Sequence, residues 1–148
     1  MISMSNNTKK FTAVLRQEFS FYANEEVLDS VLDDIADQGV TIVAFTITKL
    51  DMGRVNFVRM VVGPDNSNSS RANQIARDAL RRAGVRFRQE EVIQIIVSPA
   101  PGILRNVLRA LSPRVVVFAA YSGINSIILN VSDIPTALQL LRQNNIIA

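Results

Sequence analysis

The feature that most limits what this chain can fold into is a switch of hydrophobic period that occurs twice in the same order. "FTAVLRQEFSFY" (11–22) alternates as a strand does, and then Val27, Leu28, Val31, Leu32 and Ile35 recur at helical spacing. Asn24 stands where a helix cap would stand, and Gly39 where the helix would stop. "VTIVAFTITKL" (40–50) and "VNFVRMVVG" (55–63) predict a hairpin about the turn "DMGR". The polar run "PDNSNSS" (64–70) then leads into a second helix, with Ala72, Ile75, Ala76, Ala79, Leu80 and Ala83 on one face before Gly84. "VRFRQEEVIQIIVS" (85–98) is extended again, as one long strand or as two that meet near "RQEE".

From there the order repeats. A helix is predicted over about 101–112, a strand over 114–122, the turn "GINS", a strand over 127–132 and a helix over about 133–143. Ile103, Leu104, Val107, Leu108 and Leu111 each follow Val27, Leu28, Val31, Leu32 and Ile35 by 76 positions, so the two first helices share an apolar face at one constant shift. Only "IIA" is left for a last strand of the second half. The expectation is α+β: two tandem ferredoxin-like βαββαβ units, each an antiparallel sheet with its helices on one face. The units would span 11–88 and 89–148 after a disordered tail, 1–10. Nothing between them is rich in Gly, Ser or Pro, which predicts one body whose sheets pack side by side or face to face.

Composition narrows the chemistry. The chain has neither His nor Cys, which removes the commonest general base, the usual metal ligands and any disulfide. No G-x-S-x-G or S-x-x-K frame is present, so the expectation is a protein that is not an enzyme and needs no cofactor or metal. The polar start "MISMSNNTKK" lacks the apolar stretch of a secretory signal, and no run reaches the length of a membrane span, which predicts a cytoplasmic protein.

The formal charge of +3 is unevenly spread. Residues 24–38 carry six acids and no base, and residues 71–88 carry six arginines against Asp78. Glu25, Asp29 and Asp33 avoid the apolar stripe and read as a solvated face. Arg77, Arg81 and Arg82 form a candidate anion-binding group, for phosphate or RNA; the alternative is a solvent face paired with the acidic helix of a neighbouring copy. An RNP1-like pattern of stacking aromatics is absent, which counts against RNA.

The most specific local feature is "SPAPGILRNVLRALS" (98–112). Pro99 and Pro101 hold their φ angles, and Gly102 admits backbone or ligand where a Cβ would intrude. The N–H groups of Ile103 and Leu104 would then point outward at the positive end of a helix, where a carboxylate fits. A plain structural turn uses the same residues equally well.

With these residues in view, the stretch from Val92 to Gln143 resembles an ACT domain, the small regulatory βαββαβ module of amino-acid metabolism. The matching features are the strand that ends before Pro-Gly, the Leu-x-x-Val-Leu helix, the strand over 115–121 and the strand and helix after it. The first half matches in outline, so residues 11–148 resemble a tandem ACT protein. The resemblance implies an amino acid or similar small metabolite bound at Ser98, Pro99, Ala100, Pro101, Gly102 and Ile103, with Asn125 as a neighbour from the hairpin. In the first unit Glu25 and Glu26 stand at the positions of Pro101 and Gly102, a poor place for an anion. The implied function is a regulatory module, a homodimer that acts through a partner protein; the alternative is an assembly module that takes no ligand.

Overall fold

The computed structural model describes residues 10–97 and 101–148. The expected tail lies outside them apart from Lys10, and so do Ser98, Pro99 and Ala100 of the expected ligand loop. The chain runs β1 (Thr12–Ala23), α1 (Glu25–Asp37), β2 (Ile42–Leu50), β3 (Val55–Val62), α2 (Ser70–Arg82), β4 (Phe87–Ile96), α3 (Ile103–Leu111), β5 (Val117–Gly123), β6 (Ser126–Val131) and α4 (Ile134–Gln143). Local chemistry sets the helix starts. Asn24 accepts the Val27 N–H at 2.8 Å and Ser69 accepts the Ala72 N–H at 3.1 Å, each satisfying a donor that the helix itself cannot.

Two ferredoxin-like units with separate sheets do not form. The six strands make one closed antiparallel barrel in the order β1-β3-β2-β5-β6-β4, with β4 returning to β1. The cause is the length of β1 and β4. They pair along ten residues, from Thr12 opposite Ile96 to Phe21 opposite Phe87. The far half of β1 also pairs with β3, and the far half of β4 with β6, so each long strand serves both halves of the chain. The expected boundary between residues 88 and 89 falls within β4. The short "IIA" end is completed by β1's own start: Phe11 donates its N–H to Ile146 at 2.8 Å and accepts from Ala148 at 3.1 Å.

The ring closes where β2 meets β5, through the single residue pair Ala44 and Gly123. The Ile124 N–H donates to the Val43 carbonyl at 2.9 Å beside it. A Cβ on Gly123 would lie 2.8 Å from Ser126 Oγ and 2.9 Å from both Ala44 Cβ and the Val43 carbonyl oxygen, so only glycine lets the two strands approach.

Helices pack in pairs on the outside. α1 and α2 cover Phe19, Phe21, Val58, Met60 and Val62; α3 and α4 cover Ile93, Ile95, Ile127 and Leu129. Each such fully buried side chain contributes roughly 1.5–3 kcal/mol. Arg82 of α2 bonds to Asp34 of α1 at 2.8 Å, which joins the basic helix to the acidic one within a single chain. Among the described residues no helix is long and apolar enough to cross a membrane.

Since side chains alternate along a strand, the residues between those outward ones face the barrel interior. Ala44, Val61, Val92 and Ile128 form a small apolar cluster there, with Tyr121 packed against it. Arg16, Glu18 and Gln94 are also wholly buried on these alternate positions.

Candidate functional site

One end of the barrel carries Asn125 and the end of β4. β3 ends at Val62 and passes into the loop 63–69, β4 ends at Ile96, and β5 turns into β6 through Ile124 and Asn125. Hydrogen bonds tie these three connections together. The Val97 N–H donates to the Asn125 carbonyl at 3.0 Å, and Gln94 Nε2 donates to the Asp65 carbonyl at 2.7 Å and to Ser126 Oγ at 3.1 Å.

Gly102 is the residue before α3, with φ 82° and ψ −3°, a left-handed conformation that other residues adopt at a cost. It offers no side chain to cap the helix, and its carbonyl accepts the Asn106 N–H at 3.0 Å. Pro101 thus precedes the helix start rather than lying in the first turn. Ile103 is half-buried and lines a cleft of about 410 Å³ with Phe11, Asn106, Arg109 and Ile146. Asn125 is exposed in a left-handed turn at φ 45° and sits beside the end of β4, as its hydrogen bond to Val97 requires. Arg105, which the sequence did not single out, folds back so that its Nη2 lies 2.8 Å from where a Gly102 Cβ would be. This places a guanidinium over the start of α3.

The arginines of α2 lie elsewhere. Arg77 donates to Gln89 and Gln74, Arg81 stands over the Phe87 ring at 5.9 Å, and Arg82 is held by Asp34. Among the described residues no group of three or more acidic side chains is placed to hold a metal ion.

Two buried charges were not legible as site residues. Glu18 and Arg16 stand two apart on β1, both 0% exposed. Glu18 is fully satisfied: it accepts from Arg59 Nη1 at 2.8 Å, Asn130 Nδ2 at 2.8 Å and the Tyr121 hydroxyl at 2.7 Å. Burial, and then the Glu18 charge, push the Tyr121 phenol far above its ordinary range, so it remains a donor. Arg16 is different. Its Nη1 donates to Gln94 Oε1 at 2.7 Å and its Nη2 to the Val62 carbonyl at 3.0 Å, while Nε has no partner among the described residues. Burial lowers its pKa, and the field of Asp65 opposes that shift. The only signal in the sequence was a pair of opposite charges in "LRQEF" on the strand face opposite Phe19 and Phe21, which reads as a solvated face until the barrel closes.

No protein-family model matches the sequence, and no curated protein sequence does either. Solved structures do match. The chain is similar to the Bacteroides thetaiotaomicron protein BT0572, with 20% identity over 88% of this chain and 89% of that one and a TM-score of 0.71. It is similar to the regulatory subunit of aspartate kinase from Thermus thermophilus in its ligand-free form, with 13% identity over 92% and 99% of the two chains and a TM-score of 0.60. Escherichia coli aspartokinase III in complex with aspartate and ADP matches at 15% identity over 93% of this chain and 34% of that one, with a TM-score of 0.52. At these identities the likeness is one of fold: the chain has an ACT-like fold, of the kind found in regulatory subunits of aspartate kinase.

Proposed function

We propose that this protein is a regulatory module without catalytic activity, which binds an amino acid or similar small metabolite at the end of the barrel around residues 98–103 and acts through a partner protein. The observation that carries this reading is the start of α3. There the left-handed Gly102 leaves the first N–H groups of the helix without a side-chain cap, beside the Arg105 guanidinium. Ser98, Pro99, Ala100, Pro101, Gly102 and Ile103 form the loop in this proposal, with Asn125 at its edge. The fold shared with aspartate kinase regulatory subunits, one relative of which was solved with aspartate, supports the ligand class.

The second reading is a ligand-free assembly module. It is favoured by exposed apolar side chains on the two strands that meet at the thin seam, Phe45 and Ile47 on β2 and Phe118 on β5. In either case the protein is proposed to work as a homodimer.

Thermal unfolding against a panel of amino acids, with the mass in solution measured in parallel, separates the two. A ligand at 100 times its dissociation constant adds roughly 2.7 kcal/mol. If no amino acid moves the midpoint, and Gly102→Val leaves partner binding and assembly unchanged, the regulatory reading falls. The assembly reading then stands if the mass shows a dimer that Phe118→Asp dissociates.

A further inference from the structure

The two interior charges of β1 set up a contrast. Glu18 has a cation and two neutral donors around it. Arg16, equally buried and on the same face, has no acid in salt-bridge range among the described residues. The residues outside the description contain no Asp or Glu that could supply one. Buried charges are ordinarily paired, because an uncompensated charge in a low-dielectric interior is costly. Among the described residues the guanidinium has only a glutamine oxygen and a backbone carbonyl, and its Nε proton has no acceptor.

The position of this unpaired charge is informative. A Cβ on Gly63 would lie 3.4 Å from Arg16 Nη2 and 3.3 Å from Ala72 in the first turn of α2, so the guanidinium sits beneath the start of the 63–69 loop. That first turn contains no acidic residue. Residues 64–68 of the loop are exposed, and Asp65 among them is the acid whose field reaches Arg16. Gln94 links Arg16 to Asp65 and Ser126, and Ser126 adjoins the Asn125 that bonds to Val97. Arg16 therefore belongs to the same end of the barrel as Val97 and Asn125.

We propose that Arg16 is the counter-charge for the carboxylate of a small ligand, received beneath the 63–69 loop at the end of the barrel where Gln94 and Ser126 converge. The proposal rests on the ligand-binding reading above and names the group that would recognise the ligand's anionic end. A carboxylate has two oxygens, so it takes the free Nε proton and one Nη proton together in the bidentate geometry that guanidinium favours. Nη2, which gives one proton to the Val62 carbonyl, has a second beside the Nε proton, so Gln94 keeps its bonds to Nη1, Ser126 and the Asp65 carbonyl.

The test uses the full chain and thermal unfolding at constant ionic strength, with sodium acetate and the amino-acid panel as separate probes. The wild type is expected to show a saturable rise in midpoint with acetate, and Arg16→Met to show none. Gln94→Glu supplies an internal carboxylate at the position of the present 2.7 Å contact. It is expected to raise the midpoint without any anion, to abolish the acetate response and to weaken binding of any active amino acid at least tenfold. This variant carries the test should Arg16→Met fail to fold. A wild type that responds to neither acetate nor any amino acid overturns the proposal, and so does an undiminished response in both variants. An amino acid that stabilises the wild type and both variants equally removes Arg16 from the site and leaves the regulatory reading intact. An acetate response lost in the variants, with no amino acid active, keeps the Arg16 site and removes the amino acid as its ligand.

Discussion

The Tyr121 hydroxyl donates to Glu18 at 2.7 Å, joining β5 to β1 across the barrel interior through two residues 103 positions apart in sequence. The same carboxylate accepts from Arg59 on β3 and Asn130 on β6, so one buried acid draws on four of the six strands. Tyr121→Phe removes one of the three donors. The expected loss is about 1.5–3 kcal/mol, the range for a hydrogen bond to a charged group, read from chemical denaturation at neutral pH.

The same phenol gives a pH dependence. Burial and the Glu18 charge raise its pKa in the folded state, so its contribution is complete below the ordinary tyrosine value of about 10. Above that value the unfolded chain ionises Tyr121 while the folded chain does not, and stability falls as pH rises. Denaturation midpoints between pH 8 and 11 are expected to decline more steeply in the wild type than in Tyr121→Phe.

Removing the acid itself costs more than removing one donor. Glu18→Gln leaves Arg59, whose side chain is mostly buried, without its partner, and a loss of about 3–5 kcal/mol is expected. Arg59→Met made in the Glu18→Gln background is expected to be less harmful than in the wild type. Additive losses in that double-mutant cycle would show that the two side chains act independently.

Barrel closure depends on the seam between β2 and β5. Gly123→Val forces Cβ against Ala44, the Val43 carbonyl and Ser126, and overpacking of this kind costs about 1–3 kcal/mol. The sharper readout is amide hydrogen exchange. Protection of the Ile124 N–H, which donates to Val43, is expected to fall while amides of the β1–β4 ladder keep theirs.

At the surface, Arg82 and Asp34 are close but solvated. Arg82→Gln is expected to change stability by less than about 1 kcal/mol, and less still at high salt, as thermal melts at two ionic strengths would show.

Much of the secondary structure could be read from local pattern because it has local causes. Asn24 and Ser69 cap the helices they precede, Gly39 and Gly84 follow helix ends with positive φ, and the hairpin turns fall at "DMGR" and "GINS". The fold class was misread at β1 and β4. A long strand that pairs with one partner along its whole length and with a second along half looks, in sequence, like a strand of one unit only. The Gly102 turn was visible from its Pro-Gly signature, whereas Arg105 folding back over it was not, since an exposed arginine on a helix carries no marker of where it reaches.

The sequence by itself determined the order of elements, the helix limits and the two faces of each strand, because capping, turn chemistry and period are set within a few residues. It could state that Arg16 and Glu18 share the face opposite Phe19 and Phe21, but not which face meets water. Only the tertiary structure decided that, through the approach of Ala44 to Gly123, 79 residues away, which closes the ring. Closure turns what reads as a solvated strand face into an interior, and gives each of its charges a partner or leaves it without one.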